Sequence, residues 1–214
     1  IVALTRISLA PLREKWETEF SRALNDREWQ RVIARPNRIS RGARHKLVQF
    51  FILHRAYLTP QKINVYFSGT GAAWPRCKAL DADFHHMLWG CPSIHDYWIY
   101  ISTQLGKLSG NTDLHTWEAV ALGIYNHPKK RKAMNRFIDL ALILAIKTLT
   151  GNWKASTPPD PGRWRRELIN WAMTEHALLL REEARGVRKT PLAPAWDVLL
   201  TRFQTLNKND NLPP

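Results

Sequence analysis

Residues 74–98 read Trp-Pro-Arg-Cys-Lys-Ala-Leu-Asp-Ala-Asp-Phe-His-His-Met-Leu-Trp-Gly-Cys-Pro-Ser-Ile-His-Asp-Tyr-Trp. The stretch holds both cysteines of the 214-residue chain, Cys77 and Cys91, with His85 and His86 between them. The spacing Cys77-x8-His86-x4-Cys91 can fold a short loop back onto one metal ion. Zinc takes four nitrogen or sulfur ligands in a tetrahedron, and thiolate and imidazole suit it. Cys77, His86 and Cys91 supply three, and His95, His85 or water is the candidate fourth. Adjacent residues seldom both reach one tetrahedral ion, which counts against His85. The competing reading has no ion: Trp74, Phe84, Met87 and Trp89 pack the loop by themselves. A catalytic zinc would want a glutamate nearby as general base, and none is there.

On either side of this loop the composition changes. The chain carries a net charge of +14 and a pI near 10.2, which points to a polyanionic partner. Residues 74–110 hold 3 basic and 3 acidic side chains, whereas residues 1–73 hold 13 and 5 and residues 111–214 hold 16 and 10. From Trp29 to Leu80 there are ten Lys or Arg and no Asp or Glu. A solvated surface normally mixes signs, so this run predicts phosphate contact through Arg35, Arg38, Arg41, Arg44 and Lys46. Lys129, Lys130, Arg131 and Lys132 form a second cluster, set against the dipole of the helix they open. Trp153 beside Lys154 has the pairing that single-strand binders use to stack on a base, although core packing is the ordinary role of a tryptophan.

Helical periodicity runs nearly throughout, and no strand-period alternation or internal repeat is present. The reading is all-α, with helices around a short zinc-knuckle-like loop. Helices are predicted from Pro11 to Asn25, from about Asp26 to Ala34 with Pro36 ending it, and from an N-cap at Ser40 to Leu58. Thr59-Pro60 opens a short one, and Ser93–Leu108, a piece around Trp117, Met134–Leu149, Arg163–Arg185 and Pro194–Leu206 complete the set. The apolar run Phe137–Ile146 is too short to span a bilayer and reads as a buried helix. The chain divides into a basic helical segment (1–73), the knuckle-like loop and following helix (74–110), a C-terminal helical segment (111–206) and a disordered tail (207–214). Two cysteines make no disulfide framework, and a reducing intracellular compartment fits them. The start at Ile1 is expected of a fragment or a processed product.

Taken in order, these motifs resemble a known family. Trp-Pro-Arg-Cys77, Asp-Phe-His-His86-Met-Leu-Trp-Gly-Cys91-Pro and Tyr97-Trp98 resemble the zinc-binding segment of LINE-type (non-LTR) retrotransposon reverse transcriptases, which lies C-terminal to the polymerase. Leu-Arg-Glu-Lys-Trp-Glu (12–17), Leu-His-Arg-Ala-Tyr-Leu-Thr-Pro (53–60) and Gly-Asn-Trp-Lys (151–154) extend the resemblance over about the whole chain. The departure is Trp74, which stands where the family pattern has its first cysteine. The resemblance implies zinc as cofactor, RNA or DNA and the upstream reverse transcriptase domains as partners, and a cytoplasmic and nuclear location. It also implies no catalysis by this portion. No Tyr-x-Asp-Asp, Gly-x-Ser-x-Gly or clustered carboxylates occur that would support polymerase, hydrolase or two-metal chemistry. The alternative is a degenerate or host-adopted helical module that binds a protein and has lost both metal and nucleic-acid roles. A membrane partner is not expected, because no basic amphipathic helix stands out.

Overall fold

In the computed structural model, which describes residues 8–68, 70–126, 131–187 and 192–208, the chain is built around one helix. That helix, α7 (Lys132–Gly151), buries residues on every side: Phe137, Leu140, Leu142, Leu144 and Ile146 among them. A helix apolar all round has to be surrounded, and α7 packs against α2 (Asp26–Ile39), α3 (Ala43–Leu53), α5 (His95–Ser109), α6 (Trp117–Leu122), α8 (Pro161–Ala184) and α9 (Ala193–Lys208). Helices α1 (Ala10–Phe20) and α4 (Pro60–Tyr66) complete the set, and no strand occurs among the described residues. One core runs from Trp16 to Phe203, so all three helical segments of the sequence reading share it. No helix among the described residues is long and apolar enough to cross a membrane.

Local chemistry sets the helix starts. Asn25 accepts from the Glu28 amide while Glu28 reaches back to the Asn25 amide, a complete capping box for α2. Thr59, Thr116 and Asp160 cap α4, α6 and α8 through their side-chain oxygens. Four buried tryptophans then tie elements together, each donating its indole N–H to a distant carbonyl. Trp16 reaches Leu53, Trp98 reaches Leu88, Trp164 reaches Ala141 and Trp196 reaches Ala172, at 2.8–2.9 Å. Burial and a satisfied donor together let these large side chains serve as core.

Two expectations are corrected here. Pro36 lies inside α2, which runs on to Ile39. The cost of the missing amide is met by tertiary contacts, including Arg136, whose guanidinium donates to the Ile39 carbonyl that ends the helix. Ser40 is not the N-cap of α3; Gly42 holds that position, and α3 stops at Leu53 rather than Leu58. Ser40 instead turns its hydroxyl into the core. Of the predicted tail, Asn207 and Lys208 are still in α9 and the remainder lies outside the described residues.

Candidate functional site

The knuckle starts as a tight turn. The Lys78 amide donates to the Trp74 carbonyl at 2.8 Å and the Trp74 amide to the Ala79 carbonyl at 2.8 Å. Lys78 takes a left-handed conformation, φ 64°, which aims the backbone around Cys77. Burial pushes the Cys77 thiol up, and a hydrogen bond from the Ala79 amide works in the other direction. The second half is a widened helical turn, His86–Gly90, in which the Cys91 amide donates to the His86 carbonyl five residues back at 2.9 Å. In an α-helix, at about 100° per residue, two residues five apart would face about 140° away from each other. The i→i+5 turn returns Cys91 over His86. Asp83 opens this turn by accepting from the His86 amide at 2.7 Å.

As a result, Cys77 Sγ lies 3.1 Å from His86 Nε2, and the ligand atoms of Cys77, His86 and Cys91 all fall within 4.8 Å of one another. A tetrahedral zinc, about 2.3 Å from sulfur and about 2.0 Å from nitrogen, would hold such atoms about 3.5 Å apart. The group can therefore hold a metal ion. His95 does not join it. Cys91 is extended and a 3-10 turn, Pro92–Ile94, intervenes, so the helical relation that would put His95 beside Cys91 is broken. His95 faces solvent 3.7 Å from Asp96, in a depression lined by Trp89, Trp98 and His115 that Cys91 also borders. His85 turns to the Trp117 ring instead.

Trp74 is 1% exposed, and its indole N–H is buried with no partner among the described residues. The Arg76 guanidinium lies 4.8 Å over its ring and donates to the carbonyls of Asn152 and Thr157. Trp153 meets Trp74 edge-on at 5.1 Å and stacks on Tyr57 at 5.0 Å. Its ring therefore packs against the core, the ordinary role of a tryptophan, while the side chain stays partly exposed. Lys154 is exposed just beyond α7, about 30 Å from Lys132 at 1.5 Å per residue.

The positive charge gathers elsewhere, in a cleft of about 720 Å³ between α2, the α2–α3 junction and the first turns of α7. Arg27, Arg31, Arg38, Arg41, Lys132 and Arg136 line it, and Asp139 is its one carboxylate among the described residues. Arg136 is held by the fully buried Glu175 at 2.5 Å, and Arg41 pairs with Glu182. Arg27, Arg38 and Lys132 make no ion pair with a described residue. Their positive charge faces the opening. Arg44 and Lys46 lie on α3 outside the cleft, while Arg131 lines a different depression and donates to the Ser109 carbonyl. Lys129 and Lys130 are outside the described residues. Arg35 is a correction. It is 3% exposed, with its guanidinium on Asp139 at 3.2 Å and Gln49 at 2.9 Å, so it holds the core and cannot meet a phosphate.

The sequence reading overlooked Arg27 and Arg31. They stand at i and i+4 with Arg38 at i+11, one stripe of α2, a spacing that could have revealed them. It also overlooked the floor beneath the cleft, where Ser40 Oγ lies 3.0 Å from Glu175 and 2.9 Å from His45 Nδ1. A serine, a histidine and a glutamate in contact invite a nucleophile reading, but the order is wrong. The serine donates its only hydroxyl proton to the carboxylate, so His45 Nδ1 must be the donor to Ser40 and cannot take its proton. Burial pushes the His45 imidazole down to about 4, helped by the charge of Lys147 and opposed by Glu175 and Glu167. The trio is a structural network. No protein-family model matches this chain, and comparison with curated proteins gives no match either.

Proposed function

We propose that this chain is a non-catalytic nucleic-acid-binding module of the kind that follows the polymerase in LINE-type reverse transcriptases, with template RNA or target DNA held mainly by its phosphates. The observation that carries the reading is the cleft, where Arg27, Arg31, Arg38 and Lys132 converge beside a single carboxylate. Clustered cations on concave walls concentrate a polyanion, and contacts of this kind position a backbone without reading its sequence. Zinc at Cys77, His86 and Cys91 would cross-link the loop ahead of α5 and stabilise the fold without taking part in a reaction. The upstream polymerase domains are then partners, and the setting is cytoplasmic and nuclear.

Fluorescence anisotropy with single-stranded RNA, structured RNA and duplex DNA over a salt series tests this. Tight binding whose logarithm falls linearly with log salt is expected, with the slope shallower by about one for each cation removed among Arg27, Arg31 and Arg38. An unchanged affinity in the triple Arg→Glu variant would sink the assignment. A second reading, a host-adopted protein-interaction module, draws support from Trp74 in the first-ligand position and from exposed Val65, Tyr66 and Phe67 at the end of the short helix α4.

A further inference from the structure

We infer that the outward face of α3 is a stacking platform for unpaired bases, which makes the preferred ligand a single strand; the inference rests on the nucleic-acid reading above. Buried His45, Val48, Gln49, Ile52 and Leu53 fix the inward side of this helix. At about 100° per residue, Leu47, Phe50 and His54 then fall on the opposite side. Leu47 is 49% and Phe50 50% exposed. The Phe50 and His54 rings lie 4.3 Å apart, tilted by 39°, so two flat faces already meet in solvent. A contiguous exposed apolar patch needs a reason, whereas a single exposed side chain does not.

Charge selects the occupant. Arg44 flanks the patch, exposed and without an ion pair among the described residues, and Lys46 lies on its other flank. No carboxylate occurs anywhere from Trp29 to Leu80. The carboxylates of the three helices packed most closely against α3 are all paired, Asp26 with Arg13, Glu28 and Glu118 with Arg22, and Asp139 with Arg35. Rings interleaved with uncompensated cations suit a strand of phosphates and bases. The patch also lies close to the cleft along the chain. Ser40 and Arg41 line that cleft, α3 begins at Ala43, and Phe50 follows about 10 Å further along at 1.5 Å per residue. A strand with its phosphates in the cleft reaches the rings within a few nucleotides. A duplex cannot use them, because its base faces are already stacked within the helix.

The test compares a 12-nucleotide poly-uridine strand with a 12-base-pair duplex in anisotropy titrations of the parent chain and of Phe50→Ala/His54→Ala. Both positions are exposed, and an unchanged thermal unfolding midpoint verifies that the double variant folds. The expected result is about a tenfold loss for the single strand, an unchanged duplex affinity and an unchanged salt slope, since no phosphate contact is removed. Equal affinities of the double variant and the parent for the single strand would overturn the platform while leaving the cleft reading intact. Binding of the parent to phosphatidylserine vesicles that is lost in the double variant would overturn it too, by showing a lipid face. Failure of the Arg27/Arg31/Arg38 variant to alter any binding would instead overturn the reading on which the platform rests.

Discussion

The knuckle and the cleft each set an arginine over a tryptophan, and they treat its charge in opposite ways. Arg76 lies over Trp74 at 4.8 Å and Arg136 over Trp196 at 5.7 Å. Arg136 meets the fully buried carboxylate of Glu175, so the floor of the cleft is neutral and only the rim is positive. Arg76 meets carbonyls alone, with one guanidinium nitrogen buried and unpartnered. Burial lowers its pKa, and the opposing influence is Cys91. The cation of the knuckle thus lies within electrostatic reach of Cys91. A carboxylate partner neutralises the arginine of the cleft floor, whereas the arginine of the knuckle is held by carbonyls and a ring.

Removing the carboxylate should break this contrast most severely. Glu175→Ala removes the buried carboxylate that faces Arg136, Ser40 and the Arg41 amide, and a loss of about 3–5 kcal/mol is expected in denaturant unfolding. Glu175→Gln keeps acceptors for Ser40 and Arg41 and should recover part of it. Equal stability of the alanine variant and the parent would mean that the cleft floor does not organise the fold.

At the knuckle, Trp74→Cys empties a buried indole site and adds a third thiolate as a fourth ligand. Metal-free protein should lose about 3–5 kcal/mol, and zinc should restore more stability to the variant than it gives the parent. Thermal melts with zinc and with chelator measure both. Equal zinc affinities would show that residue 74 is not the missing corner.

Acid probes the network under the cleft. The His45 imidazole is held near 4 against about 6.5 in an unfolded chain. Between those values the unfolded state binds a proton that the native state does not, so stability falls as pH falls through this window, by up to about 3 kcal/mol. In His45→Gln the part of the fall between pH 6.5 and 5 should disappear; an unchanged profile would place the titration elsewhere.

The smallest stability effect belongs to the rim. Arg38→Glu should alter unfolding by less than about 0.5 kcal/mol yet weaken nucleic-acid binding and reduce its salt slope. A large loss of stability would mean that Arg38 is built into the fold as Arg35 is.

Much of the architecture was legible in the residues. The apolar run within Met134–Leu149 announced a buried helix, and Thr59-Pro60 marked a helix start, because capping and amphipathicity are settled within a few residues. The closeness of Cys77, His86 and Cys91 was legible too, since a loop of that length must return on itself. Pro36 misled, because the loss of one helical hydrogen bond is small beside the contacts that carry α2 on to Ile39. His95 misled for the opposite reason. Its helical offset from Cys91 assumed a continuous helix, and Pro92 prevents one.

The sequence by itself determined that the chain is helical, strongly basic and carries one group able to hold a metal. Only the tertiary structure decided which cations face outward. Arg35 and Arg38 are three residues apart in one acid-free run, yet Arg35 is enclosed against Asp139, 104 residues away, while Arg38 lines the cleft. Glu175 selects Ser40 and Arg136 across 135 and 39 residues. A helix is written by neighbours along the chain. The choice of a charge partner is made by whatever packing brings alongside, and no local pattern records it.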